Sequence, residues 1–167
     1  MNDETNMHVH VPTATLAQIK QYLNDNYKDG CYCPACSQRV QMYKRKLAST
    51  MAYCLIKFVI HQRKNQNQYS KFTDILNADN ITPSQRADWQ KLVYFKLIQP
   101  DYDIAGMYRV TPQGFDFVAG NILMPKYANV LNAKVYGYSM EQIHIKKALT
   151  TKFDLNELLN IDTNGKN

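Results

Sequence analysis

Three cysteines crowd one hexapeptide, CYCPAC, and Cys31, Cys33 and Cys36 are the residues whose type and spacing best suit a chemical role. Thiolates two to three residues apart on a tight turn, with Pro34 after one of them, have the arrangement of a zinc knuckle, because the turn's own amides can point at the sulfurs. A tetrahedral structural Zn2+ site needs four ligands, and the usual second Cys-x-x-Cys is missing. His8 and His10 could complete a set with Cys33 and Cys36 if the N-terminal arm folds back, with His61 and His144 as unranked alternatives. Cys54 is a poor fourth ligand. On one continuous helix it stands ~27 Å along the axis from Cys36 at ~1.5 Å per residue, so it reads as a small core residue. Two plainer readings stand beside the metal. The three thiols could sit in a loop that holds nothing, or Cys33 and Cys36, lying ahead of a helix, could be a redox dithiol without the βαβ pattern that usually surrounds one.

The second set is cationic. Arg39, Lys44, Arg45 and Lys46 fall close together, and the 167-residue chain carries 20 Lys and Arg against 14 Asp and Glu, a net charge of +6 that favours a polyanionic partner. A charge run of this kind is also commonly the solvated face of a helix. Among 12 tyrosines, Tyr127, Tyr136 and Tyr138 could stack on bases or meet a protein, or serve as core and rim. No Ser-His-Asp, paired-carboxylate, P-loop or HExxH arrangement is present, so the sequence offers no support for an enzyme.

The elements that must position these residues follow from periodicity and caps. Thr13 or Thr15 can cap a first helix with Leu16, Ile19 and Leu23 on one face and Tyr22 and Tyr27 alongside, broken at Asp29-Gly30. Ser37 then caps the longest helix signal, Gln38 to about Lys64, with Val40, Tyr43, Leu47, Met51, Cys54, Leu55 and Phe58 as its stripe. A short helix follows over Tyr69 to Leu76, and a turn over Asn77 to Ile81. Thr82, Pro83 and Gln85 open a further helix in a T-x-x-Q capping box, with Ala87, Trp89, Leu92, Val93 and Phe95 inward. Short strands over Lys96 to Pro100 and Met107 to Val110 flank a turn, and Thr111-Pro112 starts a helix that ends at Gly120. A second hairpin pairs Tyr127–Leu131 with Lys134–Tyr138 about Asn132-Ala133. Ser139 with Gln142 suggests one more capped helix through about Leu149, and Asp154 with Glu157 a last one ending near Asn160.

Helix, hairpin and short helix in that order, carried by KLVYFKLIQP and then GMYRVTPQGFDFVAG, resemble the winged-helix form of the helix-turn-helix. Such domains usually place glycine where Lys96 stands, at a left-handed exit from the helix. Their wing tips are often basic, whereas this one carries Asp101 and Asp103. The resemblance implies a recognition helix whose N-terminal residues reach base edges, which nominates Ser84, Gln85, Arg86 and Gln90, with Lys91, Arg39, Lys44, Arg45 and Lys46 on phosphates. Asp88 beside Arg86 weakens the local positive field. CPAC leading into a basic long helix ahead of the winged stretch is also similar to uncharacterised small phage and prophage proteins, over roughly Gly30 to Leu159. That similarity implies fold and viral origin and brings no activity with it.

The fold class expected is mainly α with small β-hairpins, an α+β chain. Residues 1–12 form a flexible arm, 13–37 the first helix and Cys-rich knuckle, 38–120 the winged-helix core, 121–162 a hairpin and helical extension, and 163–167 a disordered tail. The N-terminus has no signal-like region and Lys57 interrupts the most apolar run, so the expectation is a soluble, cytoplasmic chain with no membrane partner. The partner expected is double-stranded DNA, with a homodimer compatible. The rival is a host protein, such as a polymerase or a defence complex, docked on the same scaffold.

Overall fold

The computed structural model describes residues 14–66, 68–75, 82–150 and 154–160, without the side chains of residues 84–86 and 160. His8 and His10, the arm at 1–12, the turn at 77–81 and the tail at 163–167 lie outside the described residues.

The central element is helix α2, Ser49–Lys64. Met51, Ala52, Cys54, Leu55, Ile56, Phe58, Val59, Ile60 and Gln62 are all buried, a pattern too wide for a surface helix, so other elements must cover it on most sides. Each fully buried Leu, Ile or Phe contributes about 1.5–3 kcal/mol of transfer free energy. The covering elements include α4 (Pro83–Asp88), the 3-10 helix Trp89–Phe95, α5 (Pro112–Ala119), α6 (Ile145–Leu149) and α7 (Leu155–Asn160).

The helix expected from Gln38 begins only at Ser49. Before it, strands β1 (Cys31–Tyr32) and β2 (Arg39–Val40) form a hairpin, and β3 (Tyr43–Lys46) joins a separate sheet. Ser37 is not a helix cap. It sits at φ +57° inside the β1–β2 turn. Val40 and Tyr43 fit a helical stripe by spacing, but Val40 pairs with Cys31 in the local hairpin, and Tyr43 through Lys46 pair antiparallel with Val130 through Tyr127 of β8 (Tyr127–Leu131), far along the chain. That ladder satisfies backbone groups which a local reading assigned to a helix. The chain is mixed α+β with small antiparallel sheets, in keeping with the expected α+β class.

Two sheets have three strands, ordered β3-β8-β9 and β4-β6-β5, with β9 Lys134–Tyr138, β4 Ser70–Lys71, β5 Ile98–Pro100 and β6 Met107–Val110. The β8–β9 hairpin keeps its expected limits, and Asn132 and Ala133 both adopt positive φ, as a tight hairpin turn requires. Within the stretch expected as one short helix, Ser70–Lys71 is β4 and Phe72–Ile75 is α3. The helix from Pro83 changes after Asp88 to 3-10 winding. The capping box expected at Ser139 is absent: Ser139 bridges the ends of two strands, its Oγ donating to Glu141 O and accepting from Tyr127 N–H. Gln142–Ile143 is strand β10, paired with β7 (Met124–Pro125), and α6 starts later, capped by His144 Nδ1, which accepts from Lys146 N–H. Helix α1, Leu16–Asn26, has its Thr15–Gln18 capping box, yet none of its residues is buried and Leu16 is 68% exposed.

Candidate functional site

Gln62 is the polar hinge pin under the β4-β6-β5 sheet. Its fully buried amide accepts from Val110 N–H at 2.6 Å and donates to Gln68 O at 2.8 Å and Tyr108 O at 3.3 Å, fixing β6 against α2. Trp89, at the start of the 3-10 helix, stacks on Phe72 at 4.3 Å and meets Tyr108 edge-on at 4.4 Å. These contacts lock α3, the 3-10 helix and the hairpin into one unit. The chain leaves the 3-10 helix through Lys96 at φ +56°, so the position expected to favour glycine does adopt the left-handed conformation. Thr111 Oγ donates to Lys96 O at 2.6 Å and accepts from Gly114 N–H at 3.1 Å, tying the start of α5 to that exit. At Gly114 an added Cβ would lie 2.3 Å from Leu97 O, so only glycine permits this approach.

On this unit Ser84, Gln85 and Arg86 occupy α4, and Gln90 is exposed at the next turn. Lys91 is engaged: its ammonium lies 2.6 Å from Asp88 Oδ1, while Asp88 Oδ2 accepts from Thr50 Oγ of α2. That pair fastens the 3-10 helix to α2. The hairpin tip is held by Asp101, whose Oδ1 accepts from Asp103 N–H and Ile104 N–H, and it presents Tyr102 at 90% exposure and Ile104 at 55%.

The other expected cations are on strands. Along β8, Ala128 and Val130 are buried while Tyr127, Asn129 and Leu131 face outward. Directly paired residues share a face. The register Lys44↔Asn129, Lys46↔Tyr127 and Lys134↔Leu131 therefore places Lys44, Lys46 and Lys134 on that outer face. Lys44 Nζ lies 4.4 Å from the Tyr127 ring centroid, a cation–π contact, and Lys126 Nζ approaches the same ring at 5.5 Å. Lys126 is also bonded to Glu141 at 2.6 Å, and this hydrogen bond raises its pKa. Lys46 and Lys134 have no acidic partner among the described residues, and a Cβ at Gly137 would meet nothing within 4 Å, so the face is open there. Arg45 turns toward the opposite side, its guanidinium over the Tyr43 ring at 4.7 Å, and Arg39 is exposed on β2. Lys134 and Lys126 were not singled out from the sequence. Only the long-range pairing of β3 with β8 brings them beside Lys44 and Lys46. Tyr138 is not free to stack, since its OH donates to Tyr94 O at 2.7 Å. Tyr136 is 60% exposed.

The cysteine turn is a compact hairpin end in which Cys33 N–H donates to Gln38 O and Ser37 N–H to Cys33 O, each at 2.8 Å. The amides of Cys36 and Ala35, then the Cys36 thiol, donate to the Cys33 sulfur and lower its pKa. Cys31 is buried, which pushes its thiol up, and it joins no group of three potential metal donors among the described residues. Burial and the nearby Asp88 charge push Cys54 up to about 12, consistent with a core thiol. His61 lies between Ser70 Oγ and Asn65, and His144 caps α6, so both have structural partners. Among the described residues no helix is long and apolar enough to cross a membrane. Compared with known proteins, the chain matches no family model, no curated protein and no solved structure.

Proposed function

We propose that this protein binds double-stranded DNA in a regulatory role through a winged-helix core, with the outer face of the β3-β8-β9 sheet as a second phosphate-contacting surface. The carrying observation is the order α2, β4, α3, α4 with the 3-10 helix, β5 and β6, in which the hairpin's β6 pairs back to β4 and closes the wing onto the helix pair. Ser84, Gln85 and Arg86 on α4, with Gln90 on the 3-10 helix that continues it, would enter the major groove, where glutamine can pair with adenine and arginine with guanine. Lys44, Lys46 and Lys134 supply cations that the acidic wing tip lacks. The test is enrichment of duplex fragments from a mixed genomic pool across a salt series. Binding that falls steeply with salt and is abolished by Arg86→Ala is expected, with Lys91→Ala weaker because Lys91 is held by Asp88. No competable binding at low salt would sink the proposal.

A second reading has its own observation. Tyr102 and Ile104 stand exposed beside Asp101 and Asp103, a mixture of apolar area and negative charge suited to a basic protein surface and unsuited to phosphate. Under this reading Tyr102→Ala abolishes capture of a host protein and Arg86→Ala has little effect.

A further inference from the structure

The outer face of sheet β3-β8-β9 has a lateral order that phosphate contact alone does not use. Lys44 and Lys46 stand on β3, one edge strand, about 7 Å apart at ~3.4 Å per residue, and Lys134 stands on β9, the other edge. The edges lie about 10 Å apart, two strand spacings of ~4.8 Å, which leaves room for a base between them. There the central strand contributes Tyr127, Asn129 and Leu131, none of them charged. Asn129 offers both a donor and an acceptor. The register shifts where Asn129 pairs with Gly137 and Val130 with Val135, so Tyr136 is an extra residue bulged out of β9. Val135 packs against the core while Tyr136 is exposed, so the bulge turns the Tyr136 ring to the outer side, beside Gly137. Tyr27, at the end of α1, flanks that ring with centroids 6.5 Å apart and planes tilted by 41°. At Gly137 an added Cβ would meet nothing within 4 Å, so the floor next to the ring is flat and open.

Cations on both edges with an uncharged floor and an exposed aromatic ring between them match the two parts of an unpaired nucleotide chain. Phosphates reach the lysines while a base lies on the floor. A duplex offers this face phosphates only, because its bases are paired and stacked inside. We propose, on the reading of this face as a phosphate-contacting surface, that the DNA it holds is single-stranded, with a base stacked on Tyr136 over Gly137 and phosphates on Lys44, Lys46 and Lys134. Lys44 already covers the Tyr127 ring, so Tyr127 orients that lysine and Tyr136 is the ring assigned to the base. Glu141, the acid at the Tyr127 end, is paired with Lys126 and leaves the three lysines their charge.

The experiment is fluorescence anisotropy of the full chain with a short labelled oligothymidylate and, separately, with a labelled blunt hairpin duplex. Oligothymidylate should bind, with an affinity that falls as salt rises. Tyr136→Ala should weaken that binding about tenfold and leave duplex affinity unchanged. Gly137→Leu sets a side chain on the open floor and should abolish strand binding in a protein still folded by circular dichroism. An abasic strand of the same length should bind wild type as weakly as oligothymidylate binds Tyr136→Ala. Arg86→Ala should lose the duplex and keep the strand. Strand binding with these responses but no duplex binding in the wild type would support the single-strand site and overturn the winged-helix reading alone. Oligothymidylate bound no better than the abasic strand, or with an affinity untouched by Tyr136→Ala and Gly137→Leu, would overturn the single-strand site whatever the duplex does.

Discussion

Sheet β4-β6-β5 and sheet β3-β8-β9 are both three-stranded and antiparallel, and both rest on the 3-10 helix, yet they distribute charge differently. The first is bound to the core through Gln62 and through the stack of Phe72, Trp89 and Tyr108; its strands carry Lys71 and Arg109, and its turn is an acidic tip with Asp101, Asp103, Tyr102 and Ile104. The second buries Ala128 and Val130 on one face and leaves the other to Lys44, Lys46 and Lys134 around Tyr127. The firmly packed sheet fixes the geometry of the helix unit, and the open sheet gathers its lysines on one face. The lysines on edge strand β3 have a structural use as well, since charge on an edge discourages pairing with another chain.

Breaking the packed side should give the largest effect. Trp89→Ala removes the centre of the aromatic stack and should cost about 3–5 kcal/mol in urea unfolding, whereas Tyr136→Ala on the other sheet should stay within about 0.5 kcal/mol. Equal losses would mean that the two sheets are equally integral to the core. Next in size, changing Lys44, Lys46 and Lys134 together to alanine should leave unfolding nearly unchanged while lowering the slope of log affinity against log salt by about 0.9 per lysine that contacts a phosphate. An unaltered slope would reduce those lysines to edge protection.

Smaller effects sharpen the contrast at single positions. Lys96→Gly relieves a left-handed residue and should stabilise the protein by about 1 kcal/mol in the same unfolding assay, provided the exit keeps its conformation. A loss of stability would show that the Lys96 side chain contributes packing which outweighs its backbone strain. Asp103→Asn removes one charge from the wing tip without removing the Asp101 turn, and DNA affinity should change by less than about threefold. A tenfold gain would put the wing tip against phosphate and make the two sheets one continuous surface.

Some local caps and turns were legible in the sequence, although the same signal at Ser37 and Ser139 caps no helix. The Thr15 cap, the Thr111-Pro112 start and Gly120 stop, Asp154 with Glu157 and the Asn132-Ala133 hairpin each depend on residues within a few positions, and each is found where the pattern puts it. The β3 strand was not legible, because Tyr43 satisfies the helical spacing of the stripe equally well and the real constraint on Tyr43 to Lys46 is a partner strand more than 80 residues away. Strand β10 failed similarly: Gln142 and Ile143 are fixed by Pro125 and Met124, and Ser139 uses its hydroxyl to join strands. The candidate surface shared that fate. Lys44 and Lys46 stood out as charge, but Lys134 joined them only through pairing across β8.

The sequence by itself determined the caps at Thr15, Thr111 and Asp154, the Cys33–Cys36 spacing, the apolar stripe from Met51 to Phe58 and the net charge of +6, because each is set by residue type or by neighbours a turn or two away. The tertiary structure alone decided which cations share a face, which are spent on Asp88 or Glu141, and that Arg39 through Lys46 run as strands instead of a helix. The physical reason is that hydrogen bonds between strands and ion pairs across elements depend on which distant backbone is nearby, and local periodicity carries no information about that.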